Sequence, residues 1–68
     1  MSIMAELPLA ALERLLRKAG AGRVSPSACE ALRDILEERA IEIGQKASLL
    51  SQHAGRKTIT GEDIRLAK

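Results

Sequence analysis

The chain has no phenylalanine, tyrosine or tryptophan. Any core must therefore be built from leucine, isoleucine, valine and alanine, whose side chains let helices approach closely but each bury less surface than an aromatic ring. There is one cysteine, Cys29, so an internal disulfide is excluded. Cys29 and His53 together are too few ligands for a metal site within one chain. No glycine-rich phosphate loop is present, nor a carboxylate pair with chain enough to enclose a pocket. An enzyme is not expected, and neither is a cofactor. Residues 1–5 are mildly apolar with no basic run, and no long apolar stretch follows. Neither a secretory signal nor a membrane span is expected, and a free thiol suits the cytoplasm.

A chain of 68 residues makes one domain, and folding alone would bury only about 60% of the unfolded surface. The usual remedies for so thin a core are disulfides, a structural metal or a second chain. With the first two excluded, the expectation is a partner.

The formal charge is only +2, but its distribution is uneven. Four basic residues face two acidic ones from Met1 to Arg23, three face five from Val24 to Ala54, and four face two from Gly55 to Lys68. The ends are basic and the middle is acidic. An anionic partner would meet the first and last segments if folding brings them together.

The spacing predicts three helices, over about 8–19, 26–54 and 61–67. Leu7-Pro8 suits a helix opening with proline at the first helical position, where its missing amide costs nothing. Leu12, Leu15, Leu16 and Ala19 then recur at helical spacing until Gly20-Ala21-Gly22, where either glycine could take a left-handed cap. Ser25 is a good N-cap and Pro26 a good first residue for the second helix. Its apolar set of Ala28, Leu32, Ile35, Leu36, Ile43, Ala47, Leu50 and Ala54 keeps three-four spacing to Gly55. Such a rod would be roughly 43 Å long, which a small monomer has no use for. Gly44 reads as a point where another backbone passes, or as a plain irregularity. Thr60 can cap the third helix, with Asp63 as its capping-box partner. Both linkers, Gly22-Arg23-Val24-Ser25 and Gly55 to Thr60, set a basic residue beside a β-branched one. Separated by the rod, they can pair only across two antiparallel chains.

These features closely resemble the archaeal histones, the minimal, tail-less members of the histone-fold family. The stretches that carry the resemblance are Glu6-Leu7-Pro8-Leu9-Ala10, Arg14, Arg17-Lys18-Ala19-Gly20-Ala21, Arg23-Val24-Ser25 and Glu37-Glu38. To these are added His53-Ala54-Gly55-Arg56-Lys57-Thr58-Ile59, Glu62-Asp63-Ile64 and Leu66-Ala67. The resemblance covers nearly the whole chain from Glu6. It implies an all-α histone fold over residues 6–68, short-long-short, preceded by a flexible extension over 1–5. Two chains would clasp head to tail in a handshake, as an obligate homodimer or a heterodimer with a paralogue.

By position, the resemblance implies that Arg14, Arg17 and Lys57 contact phosphates and that Arg23 enters an inward-facing minor groove, with Thr58 supporting the second loop. Lys18 lies close enough in sequence to this edge to join it. Arg56 and Asp63 resemble the family's intrachain clamp. Leu50, His53, Asp63 and Leu66 match the surface by which one dimer stacks on the next along DNA. The function implied is sequence-nonspecific binding, bending and compaction of double-stranded DNA at the chromosome. Three positions depart from the pattern. Ala11 stands where a second proline is frequent, Gly22 where an acidic residue is common, and Lys68 where many relatives continue to an aromatic residue.

The residues alone leave other readings open. Arg33, Lys46 and Arg65 read as helix surface, with Lys46 spaced to pair with Glu42 at i,i+4, and Cys29 as buried filler. The acidic surface formed by Glu30, Asp34, Glu37, Glu38 and Glu42 would suit a histone-fold protein-assembly module that does not package DNA. A small coiled coil fits less well, because the apolar pattern is not a sustained heptad.

Overall fold

The computed structural model describes residues 6–68; the extension expected over residues 1–5 lies outside the described residues. Three helices follow in order, α1 (Leu9–Lys18), α2 (Pro26–His53) and α3 (Gly61–Ala67), with no strand among the described residues. Contacts divide the chain into two compact units, Met1–Glu37 and Glu38–Lys68, and the division falls inside α2.

In the first unit, α1 begins one residue later than expected. Pro8 has φ −69° and ψ 130° and is the N-cap, so it stands outside the helix as an extended residue. Its fixed φ fits either position, and only ψ tells them apart. Its carbonyl accepts the amides of Ala11 and Leu12. The far end of α1 closes in a Schellman motif: Gly20 has φ +115°, its amide donates to the Arg17 carbonyl, and the Ala21 amide donates to that of Leu16. Of the two glycines there, Gly20 takes the left-handed conformation, which costs a residue without a Cβ little. Ser25 then opens α2, its Oγ accepting the Ala28 amide at 3.1 Å. Such a cap contributes about 1 kcal/mol.

In the second unit, α2 ends by the same device. Gly55 has φ +73°, its amide donates to the Gln52 carbonyl, and the Arg56 amide donates to that of Ser51. The turn takes Ala54 out of the helix, so α2 stops at His53. Thr60 caps α3 through a reciprocal box: its side chain accepts the Asp63 amide at 3.3 Å, and its own amide donates to the Asp63 carboxylate at 2.8 Å. That closure matters for a helix of seven residues, which would fray by itself.

Few apolar side chains are buried. Among the described residues the apolar core is Leu12 and Cys29 in the first unit and Ala47 and Ala67 in the second. Among the described residues ten large hydrophobic side chains remain exposed, including Ile35 at 63%, Leu49 at 57% and Leu66 at 69%. A small solvated domain does not gain stability from apolar surface left in water.

Candidate nucleic-acid interface

In the first unit, Arg14, Arg17 and Lys18 are exposed along α1, and Arg23 is exposed in the loop between α1 and α2. Arg17 is held in place: Nε and Nη2 donate to Glu13 Oε2 at 3.2 and 3.1 Å, while Nη1 reaches the Gly22 carbonyl at 3.5 Å. An exposed i,i+4 pair of this kind contributes well under 1 kcal/mol. Its consequence is orientation, because the guanidinium spans from α1 to the loop before Arg23. Arg23 itself makes no ion pair among the described residues. It lines an open concavity of about 490 Å³ with Leu16, Ala21, Val24, Ser25 and Ala28, most of them apolar.

The N-terminal side of this unit is fastened by Glu37. Its Oε2 accepts the amides of Glu6 at 2.6 Å and Leu7 at 2.8 Å. These donors, Leu7 first and then Glu6, hold the carboxyl below its ordinary value of 4.5; burial opposes them and the positive charge of Arg33 assists. The Arg33 Nε lies 3.6 Å from Asp34 Oδ1, too long for a hydrogen bond, and is shielded from solvent without a hydrogen-bond partner among the described residues.

In the second unit, Arg56 and Asp63 meet as a two-pronged pair. Nη1 donates to Oδ2 and Nη2 to Oδ1, both at 2.9 Å. The Arg56 guanidinium, then the Thr60 amide, push the Asp63 carboxyl far below the usual carboxylate range, although burial opposes this. Asp63 in turn raises Arg56. Arg56 Nη1 also donates to the Thr58 carbonyl at 3.1 Å. One carboxylate thus ties the loop that follows α2 to the start of α3. Lys57 and Thr58 are exposed on that loop, and Lys57 makes no ion pair among the described residues.

Leu50, His53 and Leu66 come together around a second concavity, with Lys46, Leu49, Ala67 and Lys68. Asp63 is not among its lining residues; it is 4% exposed and bound by Arg56 and Thr60. The pair expected between Lys46 and Glu42 does not form. Glu42 lies instead 3.9 Å from Arg39, whose longer, forked side chain reaches it from one turn before.

Two functional side chains escaped sequence reasoning. Glu37 is visible in sequence only as half of an acidic pair, and Ser51 only as a serine on the apolar side of α2, four residues after Ala47. Glu37 bonds amides 30 and 31 residues away and Ser51 bonds carbonyls five and seven residues further on, and bonds to backbone groups leave no residue-type signature. No group of three or more ligand side chains is placed to hold a metal among the described residues. No helix there is long and apolar enough to cross a membrane.

A short helix, a long one and a short one, joined by capped loops with basic residues, make the all-α histone fold. The chain matches the family model described as histone-like transcription factor (CBF/NF-Y) and archaeal histone over residues 5–67, and it belongs to that family. It is similar to the archaeal histone HAN1 of Thermococcus zilligii, at 61% identity over 64 residues, covering 94% of this chain and 96% of the relative. It is also similar to probable archaeal histone 3 of Methanocaldococcus jannaschii, at 50% identity over the same shares. The family is structural, not enzymatic, and the handshake dimer is typical of it.

Proposed function

We propose that this chain is a DNA-packaging histone, acting as a dimer that binds double-stranded DNA without regard to base sequence and bends and compacts it. The observation that carries this is the state of the two loops. Each follows a helix closed by a glycine, and each presents a basic residue, Arg23 or Lys57, that is exposed and makes no ion pair among the described residues. Arg14, Arg17, Lys18 and Lys57 contact phosphates, Thr58 supports the second loop, and Arg23 enters the minor groove where it faces inward. Such contacts favour a bent or narrow groove but carry little base information.

The dimer, of two identical chains or of this chain with a paralogue, covers the apolar surface that one chain leaves in water and joins the first loop of one protomer to the second loop of the other. Leu50, His53 and Leu66 with Asp63 form the surface for stacking dimers along DNA, with Asp63 shared between that contact and the Arg56 clamp. The histone-fold domain runs over residues 6–68, and its place is on the chromosome in the cytoplasm.

Duplex affinity measured against salt tests this. Each neutralised phosphate contributes nearly one unit to the salt slope, so combining Arg23→Ala with Lys57→Ala, four sites per dimer, should flatten it by about 3–4 units. Affinity for unrelated duplexes of equal length should be similar. A wild-type protein with no duplex affinity at low salt would refute the reading and favour a protein-assembly module that uses the exposed acidic residues of α2.

A further inference from the structure

We infer that Ser51 is a positioning residue for DNA binding, setting the backbone of the second loop from inside the unit; this rests on the function proposed above. Ser51 lies in the last turn of α2 and is 2% exposed. Its Oγ lies 3.0 Å from the carbonyl oxygens of both Arg56 and Thr58, so its single proton is shared between two loop carbonyls. Its own carbonyl accepts the Arg56 amide at 2.9 Å. One residue of α2 therefore grips the loop at both ends of the Arg56–Thr58 segment, with Lys57 between.

The Thr58 carbonyl has a second donor in Arg56 Nη1, but the Arg56 carbonyl has no donor besides Ser51 among the described residues. Arg56 fastens the loop outward to Asp63, and Ser51 fastens it inward to α2. With no cis peptide among the described residues, each carbonyl aimed at Ser51 sends the following amide the opposite way. The Lys57 segment is thereby turned toward solvent. Without the hydroxyl, the Arg56 carbonyl would turn to water and the loop would sample other conformations. Lys57 would then be ordered only when it met its anion.

Ser51→Ala removes one oxygen and puts the best helix former in place, so the fold should persist with nearly unchanged melting. In the free protein, backbone order parameters over residues 56–59 should fall from about 0.85 toward 0.6. Duplex affinity should fall roughly three- to tenfold, the scale of one net hydrogen bond. The decisive readout is the double-mutant cycle with Lys57→Ala. If Ser51 acts by placing Lys57, the two losses are not additive. Unchanged loop order, unchanged affinity, or additive losses would each overturn the proposal. A wild-type chain that binds no duplex would overturn it through the DNA reading, and the loop measurement would then show separately whether Ser51 orders the segment.

Discussion

Replacing Ile35 with alanine separates a self-sufficient chain from a paired one by the size and the concentration dependence of the effect. Ile35 lies in α2 and is 63% exposed in the single chain. If nothing covered it, Ile35→Ala would change stability little: the third of the side chain already packed is worth about 0.5–1 kcal/mol, and the better helix propensity of alanine offsets a few tenths of that. If a second chain covers it, the loss is much larger. Fully burying an isoleucine side chain is worth about 1.5–3 kcal/mol, and roughly two-thirds of that burial is still open here, so about 1–2 kcal/mol is lost per copy. A symmetric dimer loses it twice, about 2–4 kcal/mol, which weakens association roughly 30- to 700-fold at about 1.4 kcal/mol per decade. Sedimentation equilibrium reads the dissociation constant directly, and thermal melts at several protein concentrations read it through linkage. The wild type should melt higher as concentration rises, and the variant should need far more protein to reach the same midpoint. A variant whose stability is within about 1 kcal/mol of wild type, with both midpoints independent of concentration, would refute the dimer.

Two further outcomes follow from the same geometry. A Cβ added at Gly44 meets nothing within 4 Å, so the chain supplies no close backbone there, and Gly44→Ala should stabilise by about 1 kcal/mol through helix propensity; a lower melting temperature would mark the backbone of a partner crossing at Gly44. Asp63 and Glu37 both have carboxyls held below their ordinary values of 3.8 and 4.5. Their contributions are therefore complete above those values and are lost as pH falls through the depressed ones. Melting temperature should be level from neutral pH to about pH 5 and decline below it, and Asp63→Asn should lower the plateau and flatten the acid limb. An acid limb unchanged by Asp63→Asn would show that the clamp does not couple to folding.

What the sequence made legible is what depends on neighbours along the chain. Ser25, Thr60 with Asp63, and the glycines at the ends of α1 and α2 each act within one turn, so residue type and spacing suffice to place them. Pro8 shows the resolution of such signals: its φ serves both N-cap and first helical residue, and the structure places it one step outside α1. Side-chain pairing is less legible, because Glu42 has cations on either side and the reach of the side chain, not the spacing alone, selects Arg39. Glu37 and Ser51 mark where local reading ends. Glu37 accepts amides 30 and 31 residues away, and Ser51 donates to carbonyls in a loop. Any residue supplies an amide or a carbonyl, so neither bond has a recognisable partner in sequence. The contact between Arg56 and Asp63 was legible only through family resemblance, since a spacing of seven across a helix boundary implies no particular geometry.

The thin core has a consequence for how binding would be controlled. The four small or medium apolar side chains buried among the described residues leave stability dependent on what covers the rest, and anything that binds the folded dimer and not the unfolded chain stabilises it by mass action. In the proposed function, a duplex is such a ligand, so DNA and partner chain reinforce one another. Substitutions at the basic residues and at Ile35 should then differ in kind. Loss of Lys57 or Arg23 weakens duplex binding at every protein concentration and reduces the salt slope. Loss of Ile35 removes no phosphate contact and so should leave the slope intact, while shifting binding to higher protein concentration, where the dimer reforms. A reduced slope in Ile35→Ala would mean that the apolar surface of α2 holds the loops in place directly and not through the second chain.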